Sequence, residues 1–272
     1  MPPLPCLSEP QAIVVGELPM GRVSSQVKVV GILLVVLLPG LGVPALSRAA
    51  DVPDSAAKGA IEEIIRDYIE AHPEVIEESL QKLEARRQAE AKQRGREAVV
   101  ANQEELFRDP ESPVHGNPSG DVTLVEFFDY RCRYCKAVAG SVAQLLKDDP
   151  NVRLVYKDFP ILGEVSVIAS KAALASRTQG KYPAFHEALM AAKGDLTQAT
   201  VLEIAASVGL DTARLQADME APAIMAVIEK NRALGQTLGL TGTPAFVVGQ
   251  ELAPGAMDLG EMKELVAQAR AK

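Results

Sequence analysis

The sequence predicts an α/β domain with an inserted helical subdomain, preceded by an N-terminal helical arm. Three observations predict it. From residue 122 on, strand-like runs alternate with helical ones. A nearly all-helical block, Ser166–Leu238, separates the second such strand from the third. A charged helical stretch from Ala60 to about residue 107 ends in a Pro/Gly-rich segment.

The chain begins with a segment that reads as an export signal. Arg22 and Lys28 supply positive charge, Val29–Leu38 is apolar apart from Gly31, and Pro39, Gly40 and Pro44 break the run. Ser47 and Ala49 fit the small-residue rule for cleavage after Ala49, so residues 1–49 are expected to be removed. The alternative is a membrane anchor, but the apolar run falls short of the roughly 20 residues that a spanning helix needs. Residues 1–19 are Pro-rich and carry no Lys or Arg, which makes Met20 the more conventional start.

Residues 50–110 form the arm. Ile61, Ile64, Ile65, Tyr68 and Ile69 recur at helical spacing. His72-Pro73 interrupts them, with Pro73 suited to the first turn of a new helix. Val75, Ile76, Leu80 and Leu83 make a second stripe. Residues 62–78 are rich in Glu and Asp, and 82–96 in Arg and Lys. An apolar stripe with no core nearby must be buried somewhere. It can fold onto the next domain or meet copies of itself in a homo-oligomer; a solvated arm is the remaining reading.

"RDPESPVHGNPSG", residues 108–120, reads as a linker, which puts a domain boundary near residue 110. Residues 111–272 then read as strand Val122–Phe128, helix Cys132–Lys147, strand Val152–Tyr156, a helical insert at about 164–238, strand Ala245–Val248, and a last helix capped by Asp258. The insert breaks at Gly180, Gly194 and Gly209, and Gly239 follows it.

Composition narrows the function. The net charge of −8 and the lack of a basic stripe with interleaved aromatics argue against nucleic-acid binding. There is no glycine-rich phosphate loop. Of three cysteines, Cys6 lies before or within the export segment, leaving Cys132 and Cys135 in the mature chain. An oxidising compartment permits a disulfide. A bridge that closes two intervening residues removes little loop entropy, so this pair suits exchange chemistry better than stapling. A zinc site normally needs four ligands; no second Cys pair exists, and His72, His115 and His186 are scattered.

In "EFFDYRCRYC", residues 126–135, Cys132 falls at the start of a helix that follows a buried strand. Free backbone N–H groups and the helix dipole there favour negative charge on its sulfur. Cys135, one turn in, can attack a mixed disulfide formed on Cys132. Cys132 is thus the exposed attacking sulfur and Cys135 the shielded resolving one. Arg131 and Arg133 add positive charge beside Cys132, and a favoured thiolate makes the disulfide an oxidant. Glu126 shares a strand face with Phe128. A carboxyl there is costly without a partner or a job. It either handles the Cys135 proton or sits exposed at an edge. In "TGTPAF", residues 241–246, Pro244 stands at the first position of a strand, which Pro tolerates.

"EFFDYRCRYC", the helical insert and "TGTPAF" together resemble the DsbA-like branch of the thioredoxin superfamily, and within it the ScsC-type proteins with an N-terminal helical arm. Related outer-membrane-associated antigens share the same cysteine form. The resemblance implies a thioredoxin fold and a periplasmic thiol–disulfide oxidoreductase. It puts Cys132 at the nucleophile position, Cys135 at the resolving position and Glu126 at the buried acid. Thr243 and Pro244 fall at the substrate-binding cis-proline loop. Lys157 falls where some members carry a basic partner to that acid; a plain strand-end lysine is the other reading. Arg133 and Tyr134 replace the usual Pro-containing dipeptide and tune the pair. No cofactor is implied beyond the Cys132–Cys135 redox disulfide, and no metal.

The implied partners are unfolded or misoxidised exported proteins and a membrane redox protein. An electron-donating, DsbD-like partner would make the protein an isomerase or reductase; a quinone-linked, DsbB-like partner would make it an oxidase. Thr243 and the arm, which in such proteins can build a trimer, lean to the first. The flanking arginines lean to the second. A reading from another class is a structural envelope protein whose cysteines only pack. His186 reads as a packing residue of the insert or a helix-surface residue rather than a base.

Overall fold

The computed structural model describes residues 55–271. The export segment 1–49, its cleavage site and the start at Met20 lie outside the described residues. Ser55–Ala60 belong to a first unit of the chain, and Ile61–Lys272 form the second.

Two helices make the arm: α1, Ser55–Ala71, and α2, Glu74–Ala101. Pro73 stands at the N-cap of α2, where its missing N–H costs no helical hydrogen bond. None of α1 is buried, and in α2 only Gly95 and Val99 are. Most of the expected stripe is exposed, with Ile64 68% and Leu80 54% accessible; Ile69 and Val75, on either side of the break, are partly buried. The last turns of α2 differ. Val99, with Leu106 of the short helix α3, Gln103–Phe107, is fully buried against the sheet. Residues 95–107 thus belong to the core of the domain that follows.

The sheet has five strands: β1, Val114–Gly116; β2, Val122–Phe128; β3, Val152–Asp158; β4, Ala245–Val248; and β5, Glu251–Pro254. Their order is β1-β3-β2-β4-β5. Only β2 and β3 run parallel; the other three pairings are antiparallel. Strands β2 and β4 have the bounds the sequence predicts. Strand β3 runs two residues further, β1 arises in the segment read as linker, and β5 lies between Val248 and Asp258, where the sequence predicts no element. Both are short edge strands.

Alternation in β2 splits the core in two. Leu124 and Phe128 face the larger core with α4, Arg133–Asp148, and α10, Leu259–Arg270. Val125 and Phe127 face Val99, Leu106 and Phe159. Asp258 caps α10 in a reciprocal pair with Glu261, as its spacing predicts.

The insert consists of α5, Glu164–Ala175; a 3-10 turn, Ser176–Gln179; α6, Tyr182–Ala191; α7, Gln198–Ser207; α8, Thr212–Met219; and α9, Pro222–Thr237. Gly180 and Gly209 take positive φ at its breaks, a conformation that glycine adopts without steric cost. Helix α9 returns the chain to the second core. There Gly235 lies so close to Phe159 that an added Cβ would stand 2.6 Å from the ring. Among the described residues no helix is long and apolar enough to cross a membrane.

Candidate active site

Strand β2 ends in the core and delivers the chain to a tight turn, Asp129–Arg131, before α4. The Cys132 N–H donates to the Asp129 carbonyl at 3.0 Å, which fixes Cys132 as the N-cap of α4 with an extended backbone (φ −72°, ψ 116°). Its sulfur accepts from the backbone N–H of Cys135 at 3.4 Å. A side chain at this position meets the free N–H groups of the first turn, an arrangement that suits an anionic sulfur. Both cysteines are free thiols.

Cys132 is less open than the sequence suggests. It is 6% accessible and Cys135 0%. The Thr243–Pro244 peptide bond is cis, and the Cys132 thiol donates to the Thr243 carbonyl at 3.2 Å. The loop before β4 thus lies over the sulfur. The order of access, Cys132 before Cys135, is as expected. Burial pushes the Cys135 thiol up, which favours its protonated form.

Glu126 is buried, on the Phe128 face of β2, in register with Tyr156 and Phe246. Burial raises its carboxyl from 4.5 to about 8. It lines a cavity of about 290 Å³ with Tyr156, His186, Lys136 and Ala139. Lys136 follows Cys135 directly, so the cavity runs along the first turns of α4. The carboxyl therefore has space for water and is not an edge-exposed glutamate.

Lys157 is not its partner. Lys157 pairs with Phe127, one register position away, and so points to the opposite face. There it is fully buried and donates to the Ser112 hydroxyl at 2.7 Å and to Asp109 at 3.4 Å. Burial pulls it down from 10.5 to about 8, against the attraction of Asp109. The pair ties the 105–112 segment to β3, a structural task.

The flanking arginines have partners of their own. Arg131 donates to the Leu162 carbonyl, and Arg133 lies over the Tyr134 ring at 4.6 Å and donates to its hydroxyl at 2.6 Å. Tyr134 is half exposed beside Cys132. His186 is buried among Phe128, Tyr156 and Tyr182 and hydrogen-bonds the Tyr130 hydroxyl at 3.0 Å. Burial lowers it to about 3, so it packs as a neutral ring.

Sequence reasoning passed over Asp129. Its side chain is fully buried and accepts four hydrogen bonds. Oδ1 takes the Arg131 N–H at 2.7 Å and the Ser166 hydroxyl at 2.8 Å. Oδ2 takes the N–H groups of Ile161 and Leu162 at 2.9 and 3.0 Å. An Asp three residues before a helix cap, able to bind the N–H two residues on, was the local signal. Its long-range partners left none.

A family profile described as "DSBA-like thioredoxin domain" matches residues 123–267, more than half of the chain. The chain belongs to the DSBA-like thioredoxin domain family. A second profile, "Copper resistance protein ScsC N-terminal domain", matches residues 58–90, the arm of this DSBA-like chain. A thioredoxin-like oxidoreductase from Silicibacter pomeroyi is 53% identical in sequence, with a TM-score of 0.62, over 63% of this chain and 99% of that one. Proteus mirabilis ScsC in a transitional conformation is 27% identical, with a TM-score of 0.60, over 81% of this chain and 98% of that one. That overlap extends beyond the DSBA-like domain into the arm. Curated relatives include a Na(+)/H(+) antiporter, NhaA 1, from Salinispora arenicola, 28% identical over 57% of this chain. The chain spans about a quarter (24%) of the length of that relative.

Proposed function

We propose that this protein is a periplasmic thiol–disulfide oxidoreductase acting on exported proteins, with Cys132 as nucleophile and Cys135 as resolving thiol. The observation that carries the reading is the Cys132 sulfur itself. It caps α4, accepts from the Cys135 N–H at 3.4 Å and touches the Thr243 carbonyl beside the cis Pro244. Membership of the DSBA-like family supports it. The export segment read at residues 1–49 supports the location.

The exchange runs in two displacements. The Cys132 thiolate attacks one sulfur of a substrate disulfide; the other substrate sulfur leaves as a thiolate, and a mixed disulfide remains. Cys135 then gives up its proton and attacks the Cys132 sulfur. The second substrate thiolate leaves, and the Cys132–Cys135 disulfide carries the oxidised state. Two electrons have passed to the substrate, and the reverse sequence oxidises a dithiol. Glu126 is the acceptor for the Cys135 proton, through water in its cavity. Its value of about 8 suits a group that exchanges protons near neutral pH. Thr243 and Pro244 take an extended substrate backbone.

The favoured direction is isomerisation or reduction, with electrons from a membrane donor. Two features support it: Thr243 before the proline, and the uncovered stripe from Ile61 to Leu83, which suits a homo-oligomer with several sites facing shared substrate. The arm's likeness to the ScsC N-terminal domain agrees with this. Both arginines on which an oxidase reading leaned bind elsewhere.

The test is the redox state of Cys132–Cys135 in living cells, read by acid trapping and an alkylating mass tag. A mostly reduced pair supports the isomerase or reductase. A mostly oxidised pair assigns a disulfide donor instead.

A further inference from the structure

Two loops meet at Asp129. One is the turn Asp129–Arg131, which delivers Cys132 to its cap. The other, Phe159–Gly163, links β3 to the insert and carries Ile161 and Leu162, 40% and 43% accessible. Apart from the arm and Val100, the large apolar side chains exposed among the described residues are these two and Tyr134. Tyr134 follows Cys132 by two positions. Leu162 is held to Arg131, the residue before Cys132, by the guanidinium. Exposed apolar groups on the start of α4 (Tyr134) and on the second loop (Ile161 and Leu162) therefore lie near the turn that bears Cys132.

Nothing in the Phe159–Gly163 loop is in regular structure. Four donors from three segments converge on one buried carboxylate, and each of its oxygens takes two. Ile161 and Leu162 give their backbone N–H groups to it, and Ser166 its hydroxyl from the first turn of α5. A buried acceptor with four donors is costly to lose, because each donor is left without water or partner.

We propose that Asp129 is a positioning residue for disulfide exchange: its carboxylate locks the Ile161–Leu162 loop to the turn bearing Cys132, and the locked loop forms the rim on which a polypeptide disulfide docks. The proposal rests on the exchange reading above. The rim takes an apolar side chain of an extended substrate whose backbone lies along Thr243. Asp129 touches neither substrate nor sulfur with its carboxylate. It acts on affinity for polypeptide more than on the sulfur displacement.

The test uses the full mature chain, kept reduced by an excess of a small-thiol reductant that recycles it, with a quenched fluorescent peptide carrying one disulfide. Asp129→Asn keeps the shape but turns one acceptor into a donor facing donors. KM is expected to rise about tenfold and kcat to change less than about threefold. Hydrogen exchange at the Ile161 and Leu162 amides is expected to quicken in parallel. Ser166→Ala, which removes one donor and keeps both backbone ones, is expected to raise KM by a smaller factor. An unchanged KM in folded Asp129→Asn overturns the proposal, as does a fall in kcat alone. If Asp129→Asn does not fold, an unchanged KM in Ser166→Ala overturns it. If the wild-type protein does not cleave the peptide disulfide, the exchange reading itself falls, and that is visible before any variant is compared.

Discussion

The thiol of Cys132 donates to the backbone carbonyl of Thr243 at 3.2 Å, across 111 positions of sequence. The contact joins the start of α4 to the loop before β4. The proposed roles of the two cysteines rest on their unequal burial, since Cys135 is fully buried.

Cys132→Ser is expected to abolish exchange. Cys135→Ser is expected to trap mixed disulfides with substrates, because the first displacement proceeds and the second cannot. Non-reducing gels of acid-quenched cells separate the two. Equal trapping by both variants would contradict the assignment.

Glu126→Gln is expected to change how stability depends on pH. Burial holds the Glu126 carboxyl at about 8 against 4.5 in the unfolded chain. The folded state therefore binds the extra proton, and its stability falls as pH rises from 4.5 through about 8. Asp158, raised by burial to about 7, acts in the same sense and is present in both proteins. Between pH 6.5 and pH 9 the wild type should lose on the order of 2 kcal/mol more than Glu126→Gln. Urea titrations at the two pH values check this; parallel losses would show that Glu126 ionises freely in the fold.

Gly235→Ala is expected to cost about 1–3 kcal/mol, because its Cβ would overlap the Phe159 ring at 2.6 Å. Phe159→Leu in the same chain should recover part of that loss. Denaturant midpoints of the two single variants and the double variant give the coupling. Additive costs would mean that the ring moves aside freely.

Ile64→Asp and Leu80→Asp are expected to lower the oligomeric mass and leave the melting of the DSBA-like domain within about 1–2 °C, since both side chains are exposed. Sedimentation velocity reads the mass. A monomeric wild type would leave the stripe as a solvated face. Truncation is a poorer test if it passes Lys92, because Gly95, Val99 and Leu106 are part of the core.

Much of this was legible in the sequence because it is local. Strands β2 and β4 are short apolar runs with clear ends, and Cys132 announces its cap by following a strand. Glu126 stands out as an acid in "LVEFF". The losses came where information is not local. Strands β1 and β5, three and four residues long, show no period. The two readings of Lys157, partner to Glu126 or plain strand-end lysine, stayed open because the choice depends on its register with Phe127. The apolar run that ends α2, residues 98–101, is short and follows a long charged stretch. The burial of this end rests on Val99 and on Gly95, which lies against Leu252. Asp129 is one turn acid among several until the chain returns 32 residues later.

Helix α2 runs unbroken for 28 residues, about 42 Å, and only its last turns are anchored in the domain. It works as a ruler. The distance from Ile76 to the sheet is fixed by helical rise, so whatever covers the stripe is held at a set remove from Cys132. One residue added to or removed from α2 between Leu83 and Gly95 would shift that distance by about 1.5 Å and rotate the stripe by about 100°. The length of α2 therefore encodes spacing and facing together: between Leu83 and Gly95 the number of residues matters more than which residues they are.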